Sequence, residues 1–147
     1  MRNTLDKVAD ELAVRNLIAQ LAHLADDGEL EDYIECFAED IEWGGGGQPL
    51  RQGRAAVLEG ARQRRDAGIT GPGSGSRHVV TTSWVTVHGD TATAASIFHF
   101  YMHTDTQSPA LVSLGVYRDE FCRRSAEWKL VKRTLQGNAA TVARSDS

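Results

Sequence analysis

Val14, Leu17, Ile18, Leu21 and Leu24 recur at the i, i+3, i+4, i+7 spacing of a single apolar helical stripe. They predict a helix from about Leu5 to Ala25. His23 falls off the stripe and reads as a surface residue. Gly28 breaks the pattern. A second helix is expected after it, with Leu30, Tyr33, Ile34 and Phe37 on one face and its end near Glu39. Ile41 and Trp43 suggest a short strand. Gly44 to Gly47 lose too much entropy on ordering to hold a helix or strand well, and predict a turn or bulge. A third helix is expected from about Arg54 to Asp66, followed by a flexible loop, Gly68 to Ser76.

The period changes at Arg77. RHVVTTSWVTV, TATAASIFHFYMHT, ALVSLGVYRDEFCRR and EWKLVKRTLQ are rich in β-branched and aromatic residues. His88-Gly89-Asp90 reads as a hairpin turn, and DTQSP and Ser125-Ala126 mark the other breaks. Four strands on short turns imply a meandering antiparallel sheet. Helices first and strands after them argue an α+β fold, with helices covering one face of a curved sheet. One domain is expected over residues 1–137, with a frayed tail over 138–147.

Composition narrows the function. A length of 147 residues suits one core. No apolar run approaches the roughly 20 residues of a membrane span, and MRNTLDKVADELAV lacks the apolar core of a secretory signal, so a cytoplasmic location is expected. The net charge of -4 argues against nucleic acid as a partner. The densest basic cluster, ARQRR (61–65), reads as a solvated helix face. Cys36 and Cys122 lie far apart without metal-ligand spacing and read as two reduced thiols. GxGxx in the 68–76 loop follows no strand and is not a dinucleotide fingerprint.

The candidate chemistry lies in Asp26, Asp27, His78, His99 and His103. Asp26 and Glu29 have capping-box spacing, and Asp27 is an equally good N-cap for the second helix, so local sequence favours capping for both. His78 opens a strand directly after the glycine-rich loop, which gives a rigid mount beside a movable segment. In IFHFYMH, Ile97, His99, Tyr101 and His103 share one face, and Phe98, Phe100 and Met102 share the other. Periodicity alone does not say which face meets a cavity. His99 and His103 stand about 14 Å apart on an extended strand, too far to hold one metal ion together.

Three segments in order carry a resemblance: LAHLADDGELEDYIECFAEDIEW, RHVVTTSWVTVHGDTATAASIFHFYMH and LGVYRDEFCRRSAEWKLVKR. Together, over roughly Leu5 to Gln136, they resemble a SnoaL-like domain of the NTF2-like superfamily. Within it they resemble the branch holding scytalone dehydratase and hexachlorocyclohexane dehydrochlorinase. The resemblance implies a cone-shaped α+β fold with an apolar pocket between three helices and a strongly curved sheet. It implies a catalytic aspartate–histidine pair, Asp26 and His78, leaving Asp27 as the helix cap. It implies substrate-binding positions at Trp43, Ile97, His99, Tyr101 and Arg133, and so turns the polar face of IFHFYMH toward the pocket. Thr82 stands where relatives often carry Asn, Ser125-Ala126 replaces a usual Asp-Gly, and Leu21 replaces a polar pocket residue.

Such a pair makes chemical sense. Imidazole alone has an unperturbed pKa near neutrality. A carboxylate on one ring nitrogen sets the tautomer and leaves the other nitrogen as base. The implied activity is a small-molecule lyase, a dehydratase or dehydrohalogenase, acting on a small hydrophobic, cyclic substrate. An isomerase, a polyketide cyclase or a non-catalytic binding domain would use the same pocket. The chemistry calls for no cofactor and no metal, and the exposed sheet face suits a dimer or trimer.

Overall fold

The computed structural model describes residues 3–137. The helices are α1 (Thr4–Asp27), α2 (Leu30–Glu35) and α3 (Arg54–Asp66). The strands are β1 (Phe37–Gly45), β2 (Gln48–Gln52), β3 (Arg77–His88), β4 (Thr91–Met102), β5 (Ala110–Arg124) and β6 (Glu127–Gln136). The strands form one curved sheet in the order β2-β1-β6-β5-β4-β3, parallel only between β1 and β6. The α+β reading and the antiparallel run from β3 to β6 match the sequence pattern. The expected frayed tail, 138–147, lies outside the described residues.

A capping box starts α1: the Asp6 backbone N–H donates to Asn3 Oδ1 at 2.9 Å, and the Asn3 N–H donates to Asp6 Oδ2 at 3.2 Å. The predicted stripe is buried, with Val14, Ile18 and Leu21 at most 3% exposed. The helix ends at Gly28, where a Cβ would lie 2.5 Å from Leu24 Cδ2.

The second helix stops four residues before its expected end near Glu39. Phe37, Ala38 and Ile41 belong to β1 and are core residues. Pairing decides this: the Leu130 N–H donates to the Cys36 carbonyl at 3.0 Å, and Phe37 is registered with Leu130. Tyr33 and Phe37 still meet edge to face, with centroids 4.9 Å apart, so their i, i+4 spacing is satisfied without a helix through both. The four glycines divide between strand and turn. Gly45, at φ +89, forms a bulge where a Cβ would come 2.4 Å from the Leu135 carbonyl oxygen. Gly46 and Gly47, both at positive φ, make the turn into β2, a strand the pattern did not predict.

Register fixes which side chains face the helices. Partners across a sheet share a face. His78, Phe100 and Ser113 form one row, and Val80, Phe98 and Gly115 the next; both rows face the helices. The rows Val79–His99–Leu114 and Thr81–Ile97–Val116 face the other way. A bulge with Thr82 at φ +49 then shifts the register, so that Trp84 points outward and Val85 inward. Among the described residues, no helix is long and apolar enough to cross a membrane.

Candidate active site

The last turn of α1 delivers Asp26 to the start of β3. Asp26 is buried, 4% exposed. Its Oδ2 accepts the His78 backbone N–H at 2.9 Å, and its Oδ1 lies 2.7 Å from His78 Nδ1. A carboxylate can only accept, so the ring donates from Nδ1 and the lone pair stays on Nε2. The main-chain bond fixes the strand and the ring bond fixes the tautomer. Phe100 packs on the imidazole with centroids 4.7 Å apart.

Asp26 sits at the negative end of a helix dipole, a poor place for a carboxylate. Arg65 of α3 answers this. Its Nη2 donates to the carbonyls of Leu24, Ala25 and Gly28 at 3.1, 3.3 and 2.8 Å, setting a positive charge on the carbonyls of that helix end. The expectation that Asp27 caps α2 is corrected: its carboxylate pairs with Arg77 instead. The N-cap of α2 is Glu29, which makes no side-chain cap bond. The α1 helix continues through Asp27, and the Asp27 carboxylate is taken by Arg77 at the start of β3.

His78 lines a cavity of about 180 Å³ between α1, α2, α3 and the inner face of the sheet. Ile18, Leu21, Trp43, Val80, Phe98 and Phe100 supply its apolar wall. Tyr33, Tyr117 and Arg133 supply polar groups. Arg133 is 4% exposed, and its Nε and Nη2 donate to the two carboxylate oxygens of Asp119, each at 2.8 Å. Its guanidinium carbon lies 3.8 Å from the Tyr117 ring centroid and 5.2 Å from that of Trp43. Burial pulls the Arg133 pKa down, but Asp119 outweighs it and raises it above the usual arginine range. Burial pushes the Tyr117 phenol up to about 12 and Tyr33 upward too, against the pull of Arg133. Both hydroxyls therefore keep their protons as donors. Among the described residues, no group of three His, Cys, Asp or Glu side chains could hold a metal ion.

The structure therefore brings Asp26, His78, Trp43 and Arg133 to one place, Asp26 behind the ring and the others in the wall. Ile97, His99 and Tyr101 are not there. They lie on the outer face of β4, where His99 Nδ1 is 3.3 Å from the Tyr101 hydroxyl. The polar-face expectation is thus corrected: the register with β3 puts Phe98 and Phe100 on the same face as His78. Sequence reasoning also missed Tyr117, which stacks on Phe98 with centroids 4.3 Å apart. Its signal was present in LGVYRD: Gly115 leaves Phe98 room beside Tyr117, since a Cβ there would lie 2.8 Å from Phe98 Cε1. The basic cluster 61–65 is not wholly a solvated face either. Arg62 is exposed, but Arg64 and Arg65 are half-buried and line the cavity.

A family model of the SnoaL-like domain matches residues 6–134. The chain belongs to the SnoaL-like family. This SnoaL-like domain is similar to an NTF2-like protein with a cystatin-like fold from Novosphingobium aromaticivorans. The two are 31% identical over 95% of this chain and 90% of that one, with a TM-score of 0.80. Its fold also matches a candidate scytalone dehydratase from the same organism at 18% identity and TM-score 0.71, covering 92% of this chain and 88% of that one. The β subunit of a candidate aromatic-ring-hydroxylating dioxygenase, again from that organism, matches at 19% identity and TM-score 0.70, covering 89% and 90%. No curated protein matches the chain.

Proposed function

We propose that this SnoaL-like domain is a small-molecule lyase of the dehydratase or dehydrohalogenase type, with His78 as general base and Asp26 as its orienting partner. One observation carries the reading: a buried carboxylate holds Nδ1 of a histidine whose ring lines an otherwise largely apolar cavity. His78 Nε2 takes the proton from a carbon beside a carbonyl. The C–H electron pair becomes the double bond of an enolate, and its oxygen accepts hydrogen bonds from Tyr33, Tyr117 or Arg133. As the carbonyl re-forms, the group on the next carbon departs with its bonding pair. When that group is hydroxide, the imidazolium returns the proton and water leaves. Asp26 stabilises the imidazolium throughout. An isomerase would share the first step and return the proton to another carbon.

The test separates proton removal from loss of the leaving group. In D2O, the wild-type protein is expected to exchange the α-proton of small cyclic ketones carrying a β-hydroxyl or β-halide. Asp26→Asn and His78→Ala should slow this by about 10²- to 10⁴-fold. Equal exchange in all three proteins would overturn the reading. A product lighter by water or hydrogen halide marks elimination, and one of unchanged mass marks isomerisation.

The same reading places a second copy of the chain on the outer sheet face. Trp84 is 77% exposed there, beside a groove floored by Thr86, Thr93 and Ala95 and edged by Arg118, Glu120 and Lys132. Knob, groove and both charge signs occur on one face, as a two-fold self-contact requires. Light scattering should show an oligomer that Trp84→Glu dissociates; a wild-type monomer at high concentration would contradict it.

A further inference from the structure

We propose that the substrate is an anion, a single-ring compound bearing a carboxylate, and that Arg64 binds that carboxylate. The inference rests on the cavity being the substrate site and goes beyond it to the substrate's charge.

The cavity is one-signed. The chain as a whole carries -4, yet no Asp or Glu lines the cavity, while Arg64, Arg65, Arg133 and His78 do. Two of these arginines are already committed. Arg133 is neutralised by its two bonds to Asp119. Arg65 spends Nη2 on three main-chain carbonyls and is packed under Gly71, where a Cβ would lie 2.8 Å from its Nε. Arg64 differs. Among the described residues its guanidinium takes no hydrogen bond and no ion pair, although the side chain is half-buried. It lines the same cavity as Tyr33 and Tyr117, and its charge is felt at both phenols.

A half-buried guanidinium without a partner loses hydration and gains nothing in return, unless a ligand supplies the acceptor. A carboxylate matches its fork with two parallel hydrogen bonds. The two phenols, both held protonated, add neutral donors to the same cavity wall. The rest of the wall is apolar and aromatic and takes a ring. A dry cavity of about 150 Å³ accommodates a benzene-sized molecule, so 180 Å³ suits one ring with a short substituent. The carboxylate is an anchor remote from the reacting carbon, because it does not itself activate a neighbouring C–H.

Matched probes test this without turnover. We would titrate the protein with 4-methylbenzoate and with its neutral isostere 4-methylbenzamide, by calorimetry and by tryptophan fluorescence. The benzoate should bind at least about tenfold more tightly. Arg64→Gln should abolish that preference, Arg64→Lys should retain part of it, and Arg62→Gln, on the exposed side of α3, should leave it unchanged. Circular dichroism establishes that each variant is folded. Equal affinities, a preference for the amide, no benzoate binding at millimolar concentration, or a preference that survives Arg64→Gln would each overturn the proposal. Deuterium exchange plays no part here, so a failed base mechanism and a failed anion site give separate results.

Discussion

Two buried carboxylates stand beneath one cavity, and they are built differently. Asp119 meets Arg133 through two parallel bonds of 2.8 Å, with side chains 0% and 5% exposed. Asp26 meets His78 through one ring bond and one main-chain bond, with side chains 4% and 19% exposed. The first pair is sealed: both carboxylate oxygens are occupied and the cation cannot lose its charge at any ordinary pH. The second leaves a basic nitrogen free on the cavity side. The contrast separates a pair that holds the wall from a pair able to move a proton.

The largest expected effect lies on the sealed side. Asp119→Ala strands a buried guanidinium and should cost about 3–5 kcal/mol in denaturant unfolding. Asp26→Asn keeps one oxygen to accept the His78 backbone N–H and sets an amide donor against Nδ1, which moves the ring proton to Nε2; it should cost about 1 kcal/mol, while losing the exchange activity. If the two losses in stability were equal, the contrast would fail.

A smaller effect tests the surroundings of the sealed pair. Tyr117 keeps its proton to about 12 in the folded protein, whereas a tyrosine in the unfolded chain loses it at about 10. The unfolded state therefore sheds the proton first. Stability from this phenol is complete below pH 10 and falls as pH rises from about 10 toward 12. Urea midpoints across that range should decline in the wild type and less steeply in Tyr117→Phe. A slope unchanged by that substitution would contradict the burial of the Tyr117 phenol in the cavity wall.

The smallest effect is a control remote from both pairs. Ser125 and Ala126 form the β5–β6 turn at φ +51 and +66, a conformation that glycine adopts freely and alanine does not. Ala126→Gly should stabilise the protein by about 1 kcal/mol without altering exchange activity or probe binding. A change in either would mean that turn and cavity are coupled.

What the sequence disclosed divides along similar lines. Local periodicity located α1, and it placed α3 at Arg54–Asp66, because those residues carry the signal of their own helix. The hairpin at Gly89-Asp90 was legible for the same reason. Features set by a distant partner were not. Phe37 fits a helical face until Leu130 pairs with its strand. IFHFYMH alternates cleanly, but only the register with His78 tells which face turns inward. The Thr82 bulge, which sends Trp84 outward, leaves no period to read. Arg64 sits in a run of charge resembling any solvated helix, and its place in the cavity lining depends on distant elements of the chain. Asp26 and His78 are 52 residues apart, and no spacing rule relates them. The ordered family pattern named that pair, and the coordinates bring it within hydrogen-bond distance.

The central claim is that Asp26 leaves His78 Nε2 as a free base facing the cavity. Nitrogen-15 NMR of the histidine side chains, assigned with His78→Ala, reads this directly. The account predicts that neutral His78 carries its proton on Nδ1, with Nε2 unprotonated, and that Asp26→Ala removes this bias. A neutral His78 with its proton on Nε2 in the wild-type protein would contradict it.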